Sequence, residues 1–272
     1  MGDRMKRLHP TRACVLVLVL LGVLALGCAG EKDREAEAER FYQEGLTALE
    51  QGNEGEAQIH FKNAVKQNPS HARAHYELGL LYLKDKQARQ AIEELRIAVT
   101  VEPQFVKAKR TLATLYYAAG VFSDAASLSE DLIDQGETGA DAYLILGNSL
   151  VRMDREQEAV EILTTAEEQY PENPHIKVSL ANAYLKAEEI DEARKHMEAA
   201  AAASPRNLSL QLLLGRFYNR VHMDDLAEEV LDRLRRDFPD QVAVHLASAQ
   251  FLFQKRRFRI GRASCRERVC HR

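Results

Sequence analysis

Along residues 38–259 the apolar residues recur with the periodicity of an α-helix, at steps of three, four and seven residues. Two successive apolar stripes are formed by Leu146, Gly147 and Leu150, and by Ala159, Leu163 and Ala166. A short polar turn separates one stripe from the next. This spacing predicts pairs of amphipathic helices, each about a dozen residues long and joined by tight turns.

The whole pattern returns every 34 residues. One ladder of small residues contains Ala57, Ala91, Ala125, Ala159, Ala193 and Ala227. A second contains Gly45, Gly79, Ala113, Gly147, Ala181, Gly215 and Ala249. A fixed period of this length is typical of stacked repeats, in which a hairpin buries its apolar face only against its neighbours. The period predicts one extended all-α domain that offers a binding surface.

Repeat 2, residues 72–105, shows the motif most completely. Its first helix, helix A, contains Leu78, Gly79 and Tyr82, and its second, helix B, contains Ala91, Leu95, Ala98 and a terminal Pro103. At these positions the chain resembles the tetratricopeptide repeat (TPR) family. The resemblance implies an all-α solenoid of helical hairpins wound into a right-handed superhelix.

On this register six full repeats occupy residues 38–241, and residues 242–259 form helix A of a seventh. The repeats begin at Ala38, Ala72, Val106, Ala140, Pro174 and Leu208, and the partial repeat begins at Val242. Departures from the motif are local: Glu44 replaces the leucine, Ala48 the tyrosine and Glu137 the proline. Ser129 occupies a core phase, so we expect helix B of repeat 3 to be the least well packed.

Residues 1–27 have the composition of a signal peptide, with a basic start followed by an apolar run over 15–26. The run is too short for a permanent membrane span. It ends in Gly27-Cys28, which resembles the bacterial lipobox and implies lipidation of Cys28 and attachment to a lipid bilayer. The alternative is an ordinary secretory peptide in which the cysteine is incidental.

Residues 28–37 are then the lipidated cysteine and a charged tether. Ala29 stands where an aspartate would retain a Gram-negative lipoprotein in the inner membrane. The resemblance therefore implies a protein of the cell envelope, anchored by lipid and held at the periplasmic face of the outer membrane if the organism is Gram-negative.

The periodic pattern stops inside the seventh repeat. Residues 260–272 have no place in it, and Ile260–Val269 matches one reading frame of a common sequencing adapter. We interpret this segment as a non-native tail, which implies that the native protein continues beyond about Arg259. A basic disordered tail is the alternative. Helix A of repeat 7 would then lack its helix B, and we expect Leu246, Phe251 and Phe253 to be partly exposed.

Charge and cysteine usage narrow the function. The chain carries 37 Lys and Arg against 41 Asp and Glu, a net charge of −4, and the predicted signal and tail are both basic. The repeat body is therefore acidic, which argues against nucleic acid as a partner. The four cysteines, Cys14, Cys28, Cys265 and Cys270, all lie outside the repeats, so no disulfide or zinc site is expected there.

The repeats carry no phosphate loop, nucleophile elbow or metalloprotease motif. His71 and His75 share a helix face, but no further ligands lie nearby in the sequence, so we expect neither a metal nor a cofactor. We predict that residues 38–259 have no enzyme activity.

In TPR arrays helix A lines the concave groove, and its ninth and thirteenth positions point there. In repeats 4–6 the ninth positions are Asn148, Asn182 and Arg216, and the thirteenth positions are Arg152, Lys186 and Arg220. We predict that these six residues bind protein or peptide partners, because amides pair with extended backbone and cations with carboxylates. Alternatively, the cations simply complement the helix dipole and the asparagines are ordinary surface residues.

Repeats 1 and 2 instead offer apolar groove positions, which are Tyr42, Leu46, Leu49, Tyr76, Leu80 and Leu83. They predict either an apolar docking patch or the floor of the superhelix. The combination of TPR repeats and lipobox resembles bacterial lipoproteins that serve pilus assembly or exopolysaccharide export. The alternative is that the repeats are the targeting arm of a larger envelope enzyme.

Lipid attachment has a direct test. We expect Cys28→Ser, expressed in a Gram-negative host, to lose acyl labelling and to leave the membrane fraction, because no other residue of the lipobox can accept the lipid. Metabolic labelling with a fatty acid and fractionation of the cells measure both effects. Unchanged labelling of the Cys28→Ser variant would rule out the lipoprotein hypothesis.

Overall fold

The computed structural model describes residues 32–136 and 139–269, with side chains as far as Lys255. All regular secondary structure in these ranges is α-helical and comprises thirteen helices, which confirms the predicted all-α fold. The predicted signal peptide, Cys28 and Glu137 lie outside the described residues. The lipid anchor therefore stays a prediction.

The helices are numbered in chain order, and α1 spans residues 32–50. The others are α2 (Glu54–Gln67), α3 (Ala72–Lys84), α4 (Ala88–Val101), α5 (Val106–Ala118), α6 (Phe122–Asp134), α7 (Ala140–Arg152), α8 (Glu156–Gln169), α9 (Pro174–Lys186), α10 (Ile190–Ala203), α11 (Leu208–Arg220), α12 (Asp224–Asp237) and α13 (Val242–Val269). From α3 onward, every odd-numbered helix begins at a predicted repeat start. The helical backbone of α13 continues past the boundary predicted at residue 260.

The chain divides into two compact units, Met1–Leu115 and Tyr116–Arg272, with the boundary inside α5. In unit 1, α2 packs on α3 and α3 on α4. In unit 2 each helix from α6 to α13 packs on the next, and α7 also packs on α9. Within each unit, the odd-numbered A helices and even-numbered B helices therefore stack in chain order.

Helix A and helix B of a repeat approach most closely at the glycine ladder. A Cβ atom added at Gly45 would lie 2.5 Å from the Phe61 ring, and one at Gly147 would lie 2.5 Å from Leu163 Cγ. Both Phe61 and Leu163 are fully buried. Glycine is thus required at Gly45 and Gly147, where helix B places a large, fully buried side chain directly against helix A.

The core consists of small clusters distributed along the array. One cluster in unit 1 centres on Phe61 and Leu78, and unit 2 has one around Leu163 and another around Leu231. The expected exposure of the last A helix is only partly right. Leu246 is 59% exposed and Phe253 63%, whereas Phe251 is 3% exposed because it packs with the cluster around Leu231.

The turn between helix A and helix B of each full repeat contains one residue in the left-handed backbone conformation. Positive φ recurs at 34-residue steps, at Gly52, Lys86, Gly120, Asp154, Glu188 and His222. The next residue donates its N–H to the carbonyl five residues back, as Arg155 does to Leu150 and Glu189 to Tyr184. This is the Schellman ending, in which glycine is the least strained choice. Four of the six turns nevertheless hold a residue with a side chain.

A polar side chain at the fourth position of helix A ties successive repeats together. His75 Nε2 donates to the Pro69 carbonyl at 3.0 Å, Gln211 Nε2 to Ala201 at 2.8 Å and His245 Nε2 to Pro239 at 2.7 Å. The Pro69 and Pro239 carbonyls lie two residues beyond the preceding helix B, and the Ala201 carbonyl lies in the last turn of α10, where it also accepts the Ser204 N–H. The bonds explain why His75 and Gln211 are polar and yet buried.

Ser129 is completely buried on α6, where the other repeats hold Phe, Leu or Met. Its hydroxyl donates to the Ala125 carbonyl four residues back at 2.8 Å, which satisfies the oxygen inside its own helix. The buried polar group is therefore paired. The weaker packing expected for helix B of repeat 3 stays a prediction.

The glycine ladder predicts opposite effects for two chemically identical substitutions. We expect Gly147→Ala to lower the free energy of unfolding by about 1–3 kcal/mol, because its Cβ would overlap Leu163. At Gly215 the nearest atom is 3.5 Å from an added Cβ, an ordinary contact, so Gly215→Ala should be neutral or stabilising by up to about 1 kcal/mol. Urea denaturation of the two variants measures the difference. Equal losses of stability in the two variants would show that the close approach of helices A and B does not explain the glycines of this ladder.

The left-handed turns predict a stabilising substitution. Glu188 has φ 65° and an exposed side chain, so Glu188→Gly should raise the free energy of unfolding by about 0.5–1 kcal/mol. The gain is the relief of backbone strain, less the entropy that glycine adds to the unfolded chain. Gly120→Ala, at the same phase, is the matched control and should lower the free energy. A loss of stability in Glu188→Gly would refute the explanation from strain.

Candidate functional site

The six residues predicted to bind partners all lie on A helices of unit 2. Asn148 and Arg152 are on α7, Asn182 and Lys186 on α9, and Arg216 and Arg220 on α11. Within each helix the two residues are four apart and share one face. All are exposed except Asn148, which is half-buried. The structure places their side chains in three different situations.

Asn148 is engaged inside the array. Its amide Nδ2 donates to Ser179 Oγ on α9 at 3.0 Å, and Ser179 is 4% exposed. The bond links helix A of repeat 4 to helix A of repeat 5. Asn148 therefore has a structural contact that its sequence position did not reveal, because the partner lies 31 residues away.

Asn182 occupies the same phase one repeat later but has a different neighbour. The residue 34 positions after Ser179 is Leu213, which cannot accept a hydrogen bond. Asn182 is exposed, and no hydrogen bond from its side chain is found among the described residues. Its donor and acceptor are therefore both open to a ligand, beside a leucine that is 36% exposed.

Two of the three basic residues contact the preceding repeat. The Arg152 guanidinium lies 4.9 Å from the centre of the Phe122 ring, and Lys186 Nζ lies 2.9 Å from Asp154. The hydrogen bond to Asp154 raises the pKa of Lys186. In unit 1, Lys84 at the same phase pairs with Glu54 of the preceding repeat. The thirteenth position thus acts partly as a bridge between repeats.

Arg216 and Arg220 are different, since neither makes an ion pair or ring contact with any residue described by the structure. Both are exposed on α11. The charge of Arg220 is close enough to lower the pKa of Lys186, although the bond to Asp154 outweighs this effect. Asn182, Arg216 and Arg220 together form what we call the open strip. Its groups can donate to backbone carbonyls and carboxylates, and the Asn182 oxygen can accept from backbone N–H.

The apolar groove residues of repeats 1 and 2 are mostly part of the packing. Tyr42 is 7% exposed and belongs to the unit 1 core, and Leu46 and Leu49 pack against that core. Tyr76, Leu80 and Leu83 are half-buried. These contacts favour the interpretation of these residues as the floor of the superhelix over their interpretation as an apolar docking patch.

The two candidate metal ligands have other partners. His71 Nδ1 accepts from the Ala74 N–H at the start of α3, and its Nε2 lies 3.2 Å from Glu39. His75 lies 2.6 Å from Glu94 and also bonds to Pro69. Within the described ranges no three His, Cys, Asp or Glu residues come together in a way that could hold a metal ion. None of the helices described there is long and apolar enough to cross a membrane.

Family models described as tetratricopeptide repeat match residues 42–105 and 110–174, and a second model of the same description matches 150–199 and 185–251. Together they cover most of the chain. The type IV pilus assembly protein PilF of Pseudomonas aeruginosa is 22% identical over 240 residues, which are 84% of this chain and 94% of PilF.

Three solved structures show the same fold. The structure of Pseudomonas aeruginosa PilF has a TM-score of 0.57 at 21% identity and covers 80% of this chain and 99% of its own. PilW, described as a type IV pilus biogenesis factor, has a TM-score of 0.62 at 16% identity, with 77% and 97% covered. A tetratricopeptide repeat protein from Parabacteroides merdae has a TM-score of 0.69 at 12% identity, with 81% and 87% covered.

Proposed function

The chain belongs to the tetratricopeptide repeat family, and from this we propose that it is a membrane-anchored adaptor of the cell envelope. It binds extended segments of envelope proteins on its A helices, as part of pilus assembly or of exopolysaccharide or secretion machinery. The observation that carries the proposal is the open strip on α9 and α11, where three polar side chains face solvent without a partner among the described residues.

The strip suits an extended peptide better than a small molecule. Asn182 can pair with both the N–H and the C=O of one backbone unit, a geometry that only an extended segment presents repeatedly. Arg216 and Arg220 then take acidic side chains or a carboxyl terminus of the same segment. Leu213, on α11 with the two arginines, supplies an exposed apolar contact for the same segment.

The relatives favour the envelope over other compartments. PilF and PilW are both named for type IV pilus assembly or biogenesis, and PilF matches over nearly its full length. A lipid at Cys28 would place the repeats at the membrane surface, on the periplasmic face of the outer membrane in a Gram-negative cell. No catalytic role is part of the proposal, because the strip contains no nucleophile or general base.

The test compares the open strip with the engaged residues at the same phases. We expect Asn182→Ala with Arg220→Glu to weaken binding of the captured envelope segment by roughly 1–3 kcal/mol, because a buried backbone group and a carboxylate lose their partners. Asn148→Ala is the matched control and should change affinity little, since its amide already serves Ser179. Pull-down from envelope extract, then titration with the captured segment at two salt concentrations, measures this.

Affinity for the wild-type chain should fall as salt rises, and it should fall less for the variant that has lost Arg220. Circular dichroism checks that the variants remain folded, which we expect because the substituted side chains are exposed. Equal affinity of the Asn182/Arg220 variant and the wild type would refute the open strip as the binding site.

A further inference from the structure

Glu77 lies on the A-helix face of unit 1, at the sixth position of repeat 2. Its electrostatic neighbours come from the A helices on either side, since Lys107 of α5 acts on its carboxylate and its own charge acts on Tyr42 of α1. Glu77 therefore belongs to the face that the groove of unit 1 presents.

Glu77 is half-buried but makes no hydrogen bond or ion pair with any residue in the described ranges. The other half-buried carboxylates described in unit 1 are paired: Glu37 with Arg40, Glu44 with Arg40 and His60, Glu54 with Lys84, and Glu94 with His75. Burial raises the pKa of Glu77, and the nearby Lys107 only partly offsets this. A carboxylate that is partly desolvated and unpaired costs free energy, which a cation from outside the chain would offset.

The surroundings are suited to a long basic side chain. Tyr76 lies on the same helix-A face, is half-buried and packs at 5.0 Å, between ring centres, against Phe105. Leu80, one turn beyond Tyr76, is half-buried. Lysine and arginine lay their methylene stems on such surfaces while the charged end reaches a carboxylate or the face of a ring.

We propose that the A-helix face of unit 1 binds a lysine or arginine side chain of a partner protein, with Glu77 as its counter-ion. Lys107 and Arg73 are cations of the chain on this face, and both are exposed and make no hydrogen bond or ion pair with another described residue, although the charge of Lys107 acts on Glu77. They do not fill the role of the bound cation. The site is separate from the open strip of unit 2, and its test is independent of that strip.

The first experiment uses a random heptapeptide library displayed on phage and selected on the immobilised full chain. We expect enriched peptides to share a Lys or Arg at one position on the wild type and to lose that preference on Glu77→Gln. A selected peptide is then synthesised with lysine and with norleucine, which keeps the stem and removes the charge. By fluorescence anisotropy the norleucine peptide should bind the wild type about tenfold more weakly, and the two peptides should bind Glu77→Gln about equally.

Two controls locate the effect. Glu93→Gln removes an exposed carboxylate from helix B of the same repeat and should keep the tenfold preference for lysine. Asn182→Ala with Arg220→Glu alters the open strip and should keep it too. The two proposals can therefore fail separately. If the open strip is not the binding site, the Asn182/Arg220 variant keeps its affinity for the envelope segment, and the preference for lysine at Glu77 is unaffected.

A stability measurement gives a second readout without any ligand. Because the folded-state pKa of Glu77 is above its unfolded value, the unfolded chain releases the proton first, and stability falls as pH rises through that interval. Glu77→Gln should therefore raise the melting temperature at pH 7 and leave it unchanged at a pH where the carboxyl is protonated in both states. A paired, structural glutamate would give the opposite result at pH 7.

The proposal is overturned if no basic residue is enriched on the wild type, or if the preference for lysine survives in Glu77→Gln. A lower melting temperature of Glu77→Gln at pH 7 would also overturn it, since that result would mean that Glu77 has a stabilising partner within the chain.

Discussion

The close approach of two helices within each repeat is the constraint on which the rest of the structure depends. A hairpin of two short helices has too little apolar area to be stable alone, so its residues must pack at near-core density. The chain achieves this by placing glycine or alanine on helix A opposite a large side chain of helix B, as with Gly147 and Leu163. Any side chain at Gly147 would overlap Leu163, so that either Leu163 or the backbone would have to shift.

The fold could be predicted from the sequence because this constraint repeats. The period of 34 residues sets the starts of the helices, and from Ala72 to Val242 each predicted start of an A helix is the observed one. Two features of the fold could not be predicted from the sequence, because they depend on backbone angles or on contacts between repeats. The left-handed turn residue is a glycine in only two of six turns, so composition does not mark it. The polar fourth position changes from His to Gln, so it resembles a tolerated variation.

The candidate site could be predicted only in outline. Spacing placed the six side chains on A helices, as observed, but a sequence position does not state whether a side chain is already engaged. Asn148 and Asn182 have identical phases and identical chemistry, and they differ because Ser179 accepts a bond and Leu213 cannot. Glu77 was missed altogether, because an acidic residue in an acidic chain carries no signal until its burial and its lack of a partner are known.

A repeat protein provides its own reference for what a residue does. Where a contact recurs at the repeat period, as with Lys84 and Lys186 bridging to the preceding repeat, the simplest explanation is stability of the stack. Where the period brings the same kind of group but the contact with the preceding repeat is not made, as at Asn182 and Arg220, stability no longer explains the exposed side chain. At such positions the side chain is not needed for contacts between repeats and is available to bind a partner protein. The lack of a partner at Glu77, in a unit whose other half-buried carboxylates are paired among the described residues, belongs to the same class.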